Sequence, residues 1–185
     1  MYVPFKHIND VSPTNQSQFV KQKGTGTFKD ATLRQTLHMS IGAPRIRIQI
    51  CNTFGGSDLP ITAASVALPE GGKAGVGGIQ ASTLKSVTFG GGKDSITIPR
   101  GQIGYSDPID FEVKPQSMLT VSLYFSAGQS SSQITGHPGS RTTSWMQTGN
   151  HINATSVTGA STKHWYAKTY PVHRVFLLTI ETGTS

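Results

Sequence analysis

Through the middle of the chain, hydrophobic and polar residues alternate with a period of two. Leu33, Leu37, Met39 and Ile41 are interleaved with Thr36, His38 and Ser40, which is the pattern of a strand with one face in the core and one in solvent. The clearest case follows at Arg45-Ile46-Arg47-Ile48-Gln49-Ile50. Successive side chains of a strand point to opposite faces, so Ile46, Ile48 and Ile50 enter the core while Arg45, Arg47 and Gln49 face outward. A helix would spread the same residues around its circumference. Further strands are predicted at 61–68, 84–89, 95–98, 109–113 and 119–125, the last with Leu119, Val121, Leu123 and Phe125 on one face. Gly71-Gly72, Gly77-Gly78, Gly90-Gly91-Gly92 and Pro99-Arg100-Gly101 punctuate them, as turn-forming residues do between strands. No segment keeps a 3.6-residue period, so little helix is expected. Many short strands at this spacing predict an all-β fold, an antiparallel β-sandwich of jelly-roll type.

The flanks read differently. Residues 1–27 show no periodicity and are expected to be an irregular N-terminal segment, and 126–163 reads as loop. Within 126–163 lies Gly136-His137-Pro138-Gly139-Ser140-Arg141-Thr142-Thr143-Ser144-Trp145. Val172 and the run 175–178 predict one extra strand in the tail. Nothing repeats, and nothing marks a second domain. Composition agrees with short strands joined by turns: among 185 residues there are 21 glycines and 10 prolines, and only 14% are charged, against about 25% in ordinary domains. The net charge of +7 is spread over Lys21, Lys23, Lys29, Arg34, Arg45, Arg47, Lys73, Lys85 and others without a cluster. A nucleic-acid footprint needs clustering, so a solvated basic surface and no nucleic-acid partner are expected. Cys51 is the one cysteine, which excludes an internal disulfide and a multi-cysteine zinc site. Its place in an apolar alternation reads as a small buried residue. No run approaches the ~18 apolar residues of a membrane span. The first residues also lack the hydrophobic stretch of a signal peptide.

Three blocks are distinctive: 33–69 (LRQTLHMSIGAPRIRIQICNTFGGSDLPITAASVALP), 106–125 (SDPIDFEVKPQSMLTVSLYF), and 137–145 (HPGSRTTSW) with 159–166 (GASTKHWY). Taken in order, they resemble the N-terminal β-region of extracellular SGNH hydrolases, the GDSL-type lipases and esterases. The resemblance covers about residues 28–166. It implies a β-sandwich domain over 28–166, an extracellular setting, and ester hydrolysis by a serine nucleophile without a metal in full-length relatives. In those relatives an α/β catalytic domain opens with a Gly-Asp-Ser block soon after the His-Trp-Tyr segment. Here the likeness stops at Tyr166, and 167–185 reads as a divergent C-terminal tail. The expectation is therefore the front half of such an enzyme, a truncated product whose partner is the missing catalytic domain.

Catalytic residues are not expected in what remains. Gly92-Lys93-Asp94-Ser95 nearly spells the nucleophile block, but Lys93 separates letters that must be adjacent. Gly55-Gly56-Ser57-Asp58 has the letters in the wrong order and reads as a turn. A serine hydroxyl attacks only when a neighbouring base takes its proton. In the resembled family that histidine lies three residues after an aspartate, and none of Asp10, Asp30, Asp58, Asp94, Asp107 and Asp110 has one there. The Gly-x-Ser-x-Gly elbow is absent too. His7, His38, His137, His151, His164 and His173 show no ligand-like spacing, so neither a metal nor a cofactor is expected. His38 reads instead as a hydrogen-bonded structural residue.

Contact residues remain. Arg141 offers two-pronged hydrogen bonds and Trp145 a broad apolar face with one donor. Together with His137, Trp165 and Tyr166 they are candidates for pinning the loop, for contact with the catalytic half, or for ligand contact. Asn153, in Asn153-Ala154-Thr155, is a candidate glycosylation site, and Asn15 a weaker one. The alternative function is a carbohydrate-binding module, for which Tyr105, Tyr124, Trp145, Trp165 and Tyr166 supply rings. That reading requires two or more exposed coplanar rings on one sheet face.

Overall fold

The computed structural model describes residues 28–131, 133–135, 143–158, 160–163 and 178–182, the last two stretches by their main chain. Strands β1 (Ala31–Met39), β8 (Ser117–Phe125), β4 (Ala63–Ala67), β5 (Lys85–Val87), β9 (Thr143–Thr148) and β10 (Ala160–Lys163) form a sheet ordered β10-β9-β1-β8-β4-β5. β2 (Ile46–Cys51) lies between β7 (Ile103–Tyr105) and β11 (Leu178–Thr182), and β3 (Leu59–Ile61) pairs with β6 (Ile96–Ile98). Every ladder is antiparallel. Helix among the described residues amounts to two single 3₁₀ turns, Glu70–Gly72 and Ala81–Thr83. The chain is thus mostly β, in several sheets.

One hydrophobic core draws on all of these sheets. Leu33 and Leu123 come from the large sheet, Ile48 and Ile50 from β2, Ile61 from β3 and Ile98 from β6. Alternation explains β2 directly: Ile46, Ile48 and Ile50 have no solvent exposure, while Arg47 and Gln49 are half-buried. Cys51 is buried as well, its sulfur 2.9 Å from the Thr53 hydroxyl.

β1 departs from expectation, because it is buried on both faces from Ala31 to Thr36. Its strand ends at Met39, and Ile41, expected to face the core, is 59% exposed beyond it. The chain must turn there: a Cβ on Gly42 would sit 2.6 Å from Pro115 Cδ. His38 is exposed at the end of the strand.

The segment 61–68 proves to be two strands in two sheets. Leu59 and Ile61 are buried, then Ala64 and Val66, so the period-two phase slips at Thr62. An unbroken strand cannot change phase without turning its apolar side outward, and the chain passes from β3 into β4 at that residue. At 109–113 the alternation is right, with Ile109, Phe111 and Val113 buried, but a continuous strand is lacking. The Phe111 amide donates to the Ile109 carbonyl and kinks the segment, leaving isolated bridges to Ile46 and Ala43. Part of the expected loop 126–163 is strand, namely β9 and β10. Thr143 to Met146 are buried on both faces, so the sequence there offers no apolar-polar contrast. A tail strand is present at Leu178–Thr182, and residues 172–177 of the expected one lie outside the described residues.

Candidate functional site: the covered polar face of the large sheet

The second face of the large sheet is made of small polar side chains. The register places Thr32, Arg34 and Thr36 of β1 beside Tyr124, Ser122 and Thr120 of β8. Ser65 of β4 continues the row past Ser122, and Trp145 of β9 lies on the other side of Arg34. Hydroxyl-bearing side chains are short enough for a second layer of main chain to approach and bond to them. The segments 77–79 and 149–157 supply that layer. They pair with each other, the Ile79 amide donating to the Thr155 carbonyl and the Val157 amide to the Gly77 carbonyl. They are tied down by the Thr32 hydroxyl donating to the Gly149 carbonyl at 2.7 Å and the Ser65 hydroxyl to the Ile152 carbonyl at 2.7 Å. Ile79, Ile152 and Val157 seal the layer.

Arg34 stands at the centre with no solvent exposure. Its Nε donates to Ser122 Oγ at 2.8 Å and one Nη to the Gly77 carbonyl at 2.9 Å. The other Nη is shared between the carbonyls of Ala154 at 2.8 Å and His151 at 3.2 Å. Its hydrogen bonds go to a hydroxyl and three main-chain carbonyls, with no carboxylate among them. Burial pushes its pKa down to about 10, so the guanidinium still carries its charge at neutral pH, held by carbonyl dipoles. An arginine enclosed in this way fastens loops and presents no donor to a ligand.

Trp145 is buried beneath this layer, with its indole Nε1 near Gly77: a Cβ on Gly77 would lie 3.2 Å from Nε1 and 2.6 Å from the Val157 carbonyl oxygen. Asn153 is exposed in the turn that closes with the Ala154 amide donating to the His151 carbonyl, and Thr155 is exposed too. The structure therefore brings Trp145 and Asn153 to one region. His137, Arg141, Trp165, Tyr166 and Asn15 lie outside the described residues. Of the aromatic rings proposed for sugar contact, Tyr105 is 38% exposed and its hydroxyl accepts from Gln49 Nε2 at 2.8 Å. Tyr124 is half-buried and donates to Asp30 Oδ1 at 2.9 Å, which raises its pKa. Among the described residues, a pair of exposed coplanar rings is not found.

The serine motifs occupy turns. Gly90, Gly91 and Gly92 all have positive φ, and Phe89 and Lys93 bridge across them. The Gly91 and Gly92 amides and the Thr88 hydroxyl donate to the Asp107 carboxylate, and these bonds hold its pKa below the usual carboxylate range. This is a hairpin tip, with none of the strand-to-helix geometry of a nucleophile elbow. Gly55 to Asp58 is a turn fixed from beneath by Asn52, whose Nδ2 donates to the carbonyls of Ser57 and Ile98 at 3.0 Å each. The ring nitrogen of His151 lies 2.8 Å from the Thr148 carbonyl oxygen and 3.1 Å from the Gln147 amide nitrogen. Among the described residues no three His, Cys, Asp or Glu side chains converge as a metal site. No helix there is long and apolar enough to cross a membrane.

Sequence reasoning placed Arg34 among the scattered surface charges and missed the face it anchors. A signal was present: Thr32 and Thr36 flank it at strand spacing, and Ser65, Thr120 and Ser122 recur at alternate positions elsewhere. No protein-family model matches the chain, and no curated protein matches it.

Proposed function

We propose that this chain is the accessory β-sandwich of a secreted SGNH-type ester hydrolase, a jelly-roll-like domain that carries no catalytic machinery of its own. The order of the family-like blocks carries the reading. The first spans β1 to β4, the second leads into β8, and the last two take in the start of β9 and all of β10. β10 forms one margin of the large sheet, and the resemblance ends three residues beyond it, at Tyr166. A catalytic domain following that block would leave from this margin. His137, Arg141, Trp165 and Tyr166 are then residues of the interdomain contact, while Trp145 is buried under the covering layer. The turn geometry of both serine motifs agrees with a non-catalytic role. Among the described residues, the carbohydrate-binding alternative has Tyr105 as its exposed ring and would need a second beside it.

The test is enzymatic. Purified chain should neither hydrolyse short acyl esters nor be labelled by a fluorophosphonate probe. Turnover that a serine-directed inhibitor abolishes would sink the non-catalytic reading. The parent enzyme is tested separately by the nucleotide sequence downstream of the Tyr166 codon, where a Gly-Asp-Ser block is expected in another frame or past an intron.

A further inference from the structure

The turn that covers Arg34 carries an asparagine whose side chain the described fold does not use. Asn153 follows buried Ile152 and is exposed, as is Thr155 two positions on. Main chain closes the turn, the Ala154 amide donating to the His151 carbonyl at 3.1 Å. Both ends are clamped from beneath, because the carbonyls of His151 and Ala154 accept from Arg34. Asparagine is common in turns because it tolerates a left-handed backbone or bonds its side chain to main chain nearby. Neither reason applies to Asn153. The described non-glycine residues with positive φ are Phe28, Asp30 and Gln116. The side-chain bond into the turn comes instead from Asn150, whose Oδ1 accepts from the Ile152 amide at 3.3 Å. Among the described residues, the side chains of Asn153 and Thr155 have no hydrogen-bond partner. Thr155 joins the covering layer through its carbonyl, which accepts from the Ile79 amide at 2.8 Å.

We infer that Asn153 is an N-glycosylation site, its acceptor the carboxamide Nδ2 and its donor an oligosaccharide carried on a lipid diphosphate. An Asn-x-Thr triplet is the acceptor sequence when its middle residue is not proline, and here that residue is Ala154. In the transfer, Nδ2 bonds to C1 of the reducing-end sugar as the bond from C1 to the diphosphate oxygen breaks. The lipid diphosphate leaves with the electron pair, and an amide proton passes to a base of the transferase. The Thr155 hydroxyl is the group that the transferase reads two residues downstream. A glycan is bulky and stands in water. Attached here, it projects from a turn whose main chain is already fixed, so it displaces none of the bonds to Arg34. It also marks the outer side of residues 151–155 as a solvent face, closed to a packed partner domain. Modification here presumes the secretory setting of the proposed function and nothing else in that reading.

The test sends the full chain into the secretory pathway of a eukaryotic host behind a foreign signal peptide, so the chain's own targeting plays no part. Peptide mass spectrometry after peptide-N-glycosidase F in heavy-oxygen water should find the Asn153 amide converted to a labelled acid. Thr155→Ala, which keeps the asparagine, should abolish that conversion, and Asn15→Gln should leave it unchanged. An unmodified Asn153 in the wild-type product, whether secreted or held in the lumen, would overturn the proposal. Hydrogen exchange reads its structural half. Amides of 149–157 should be as protected in the glycosylated chain as in unglycosylated chain made in bacteria. Faster exchange confined to that stretch would mean that the sugar breaks the layer, and would overturn the proposal too. A chain that its native source keeps out of the secretory pathway would sink the secreted setting alone, since acceptance at Asn153 is measured behind the foreign signal.

Discussion

On one face of β1, Leu33 meets Leu123 across the ladder and vanishes into aliphatic contact. On the other face, Thr32, Arg34 and Thr36 vanish as completely beneath a layer of loop main chain. The apolar face is stabilised without regard to direction, at about 1.5–3 kcal/mol per buried side chain. The polar face gains only about 1 kcal/mol net from each ordinary hydrogen bond, but removing one partner strands the other in a dry site. Equal burial thus conceals unequal tolerance: the first face should yield gradually to substitution, the second abruptly and locally.

The strongest way to break this contrast is Arg34→Ala. It removes the donors to the carbonyls of Gly77, His151 and Ala154 together and should cost about 3–5 kcal/mol in urea unfolding, because hydrogen bonds from a charged group are worth about 1.5–3 kcal/mol each. Amides of 77–79 and 149–157 should exchange fastest. Arg34→Lys should recover only part of the loss, because one ammonium cannot span acceptors held by a planar fork. Leu123→Ala, on the apolar face, should cost about 3 kcal/mol, yet its exchange should rise across the whole core; a rise confined to the loops would erase the distinction. Gly77→Ala sharpens the comparison by disturbing the covering layer and the Trp145 indole beneath it. Its Cβ would press within 2.6 Å of the Val157 carbonyl, and a loss of about 1–3 kcal/mol is expected by denaturant melt.

The smallest effect is outside both faces, at the hairpin tip. Asp107 has a carboxyl pKa lowered chiefly by the Gly91 and Gly92 amides. It therefore contributes stability above the unfolded value of about 4 and loses it as pH falls through the lower folded value. Asp107→Asn should melt slightly lower than wild type near neutrality and show a flatter acid limb in melting temperature against pH.

How much could be read in advance follows from the same contrast. β2 and β8 were legible because one face of each is continuously aliphatic, Ile46-Ile48-Ile50 and Leu119-Val121-Leu123-Phe125. β1 was legible in place but not in burial, since alternation was taken to mean that Thr36 and His38 share solvent, and only His38 does. β9 was hidden because Thr143, Ser144, Trp145 and Met146 are all covered. β7 was hidden because its middle residue is Gly104, where a Cβ would lie 2.7 Å from Ile98 Cδ1. Of the candidate contacts, Trp145 is a packing residue under Gly77 and Asn153 is a surface residue. The anchor itself, Arg34, was passed over because a charge in a strand ordinarily means water.

The phase slip at Thr62 has a mechanical consequence. A single residue carries the backbone from the β3–β6 pair into the large sheet, with no slack between Ile61 and Ala63. Relative motion of the two sheets must therefore be taken up in the backbone torsions of Ile61, Thr62 and Ala63, the soft dihedrals at the seam.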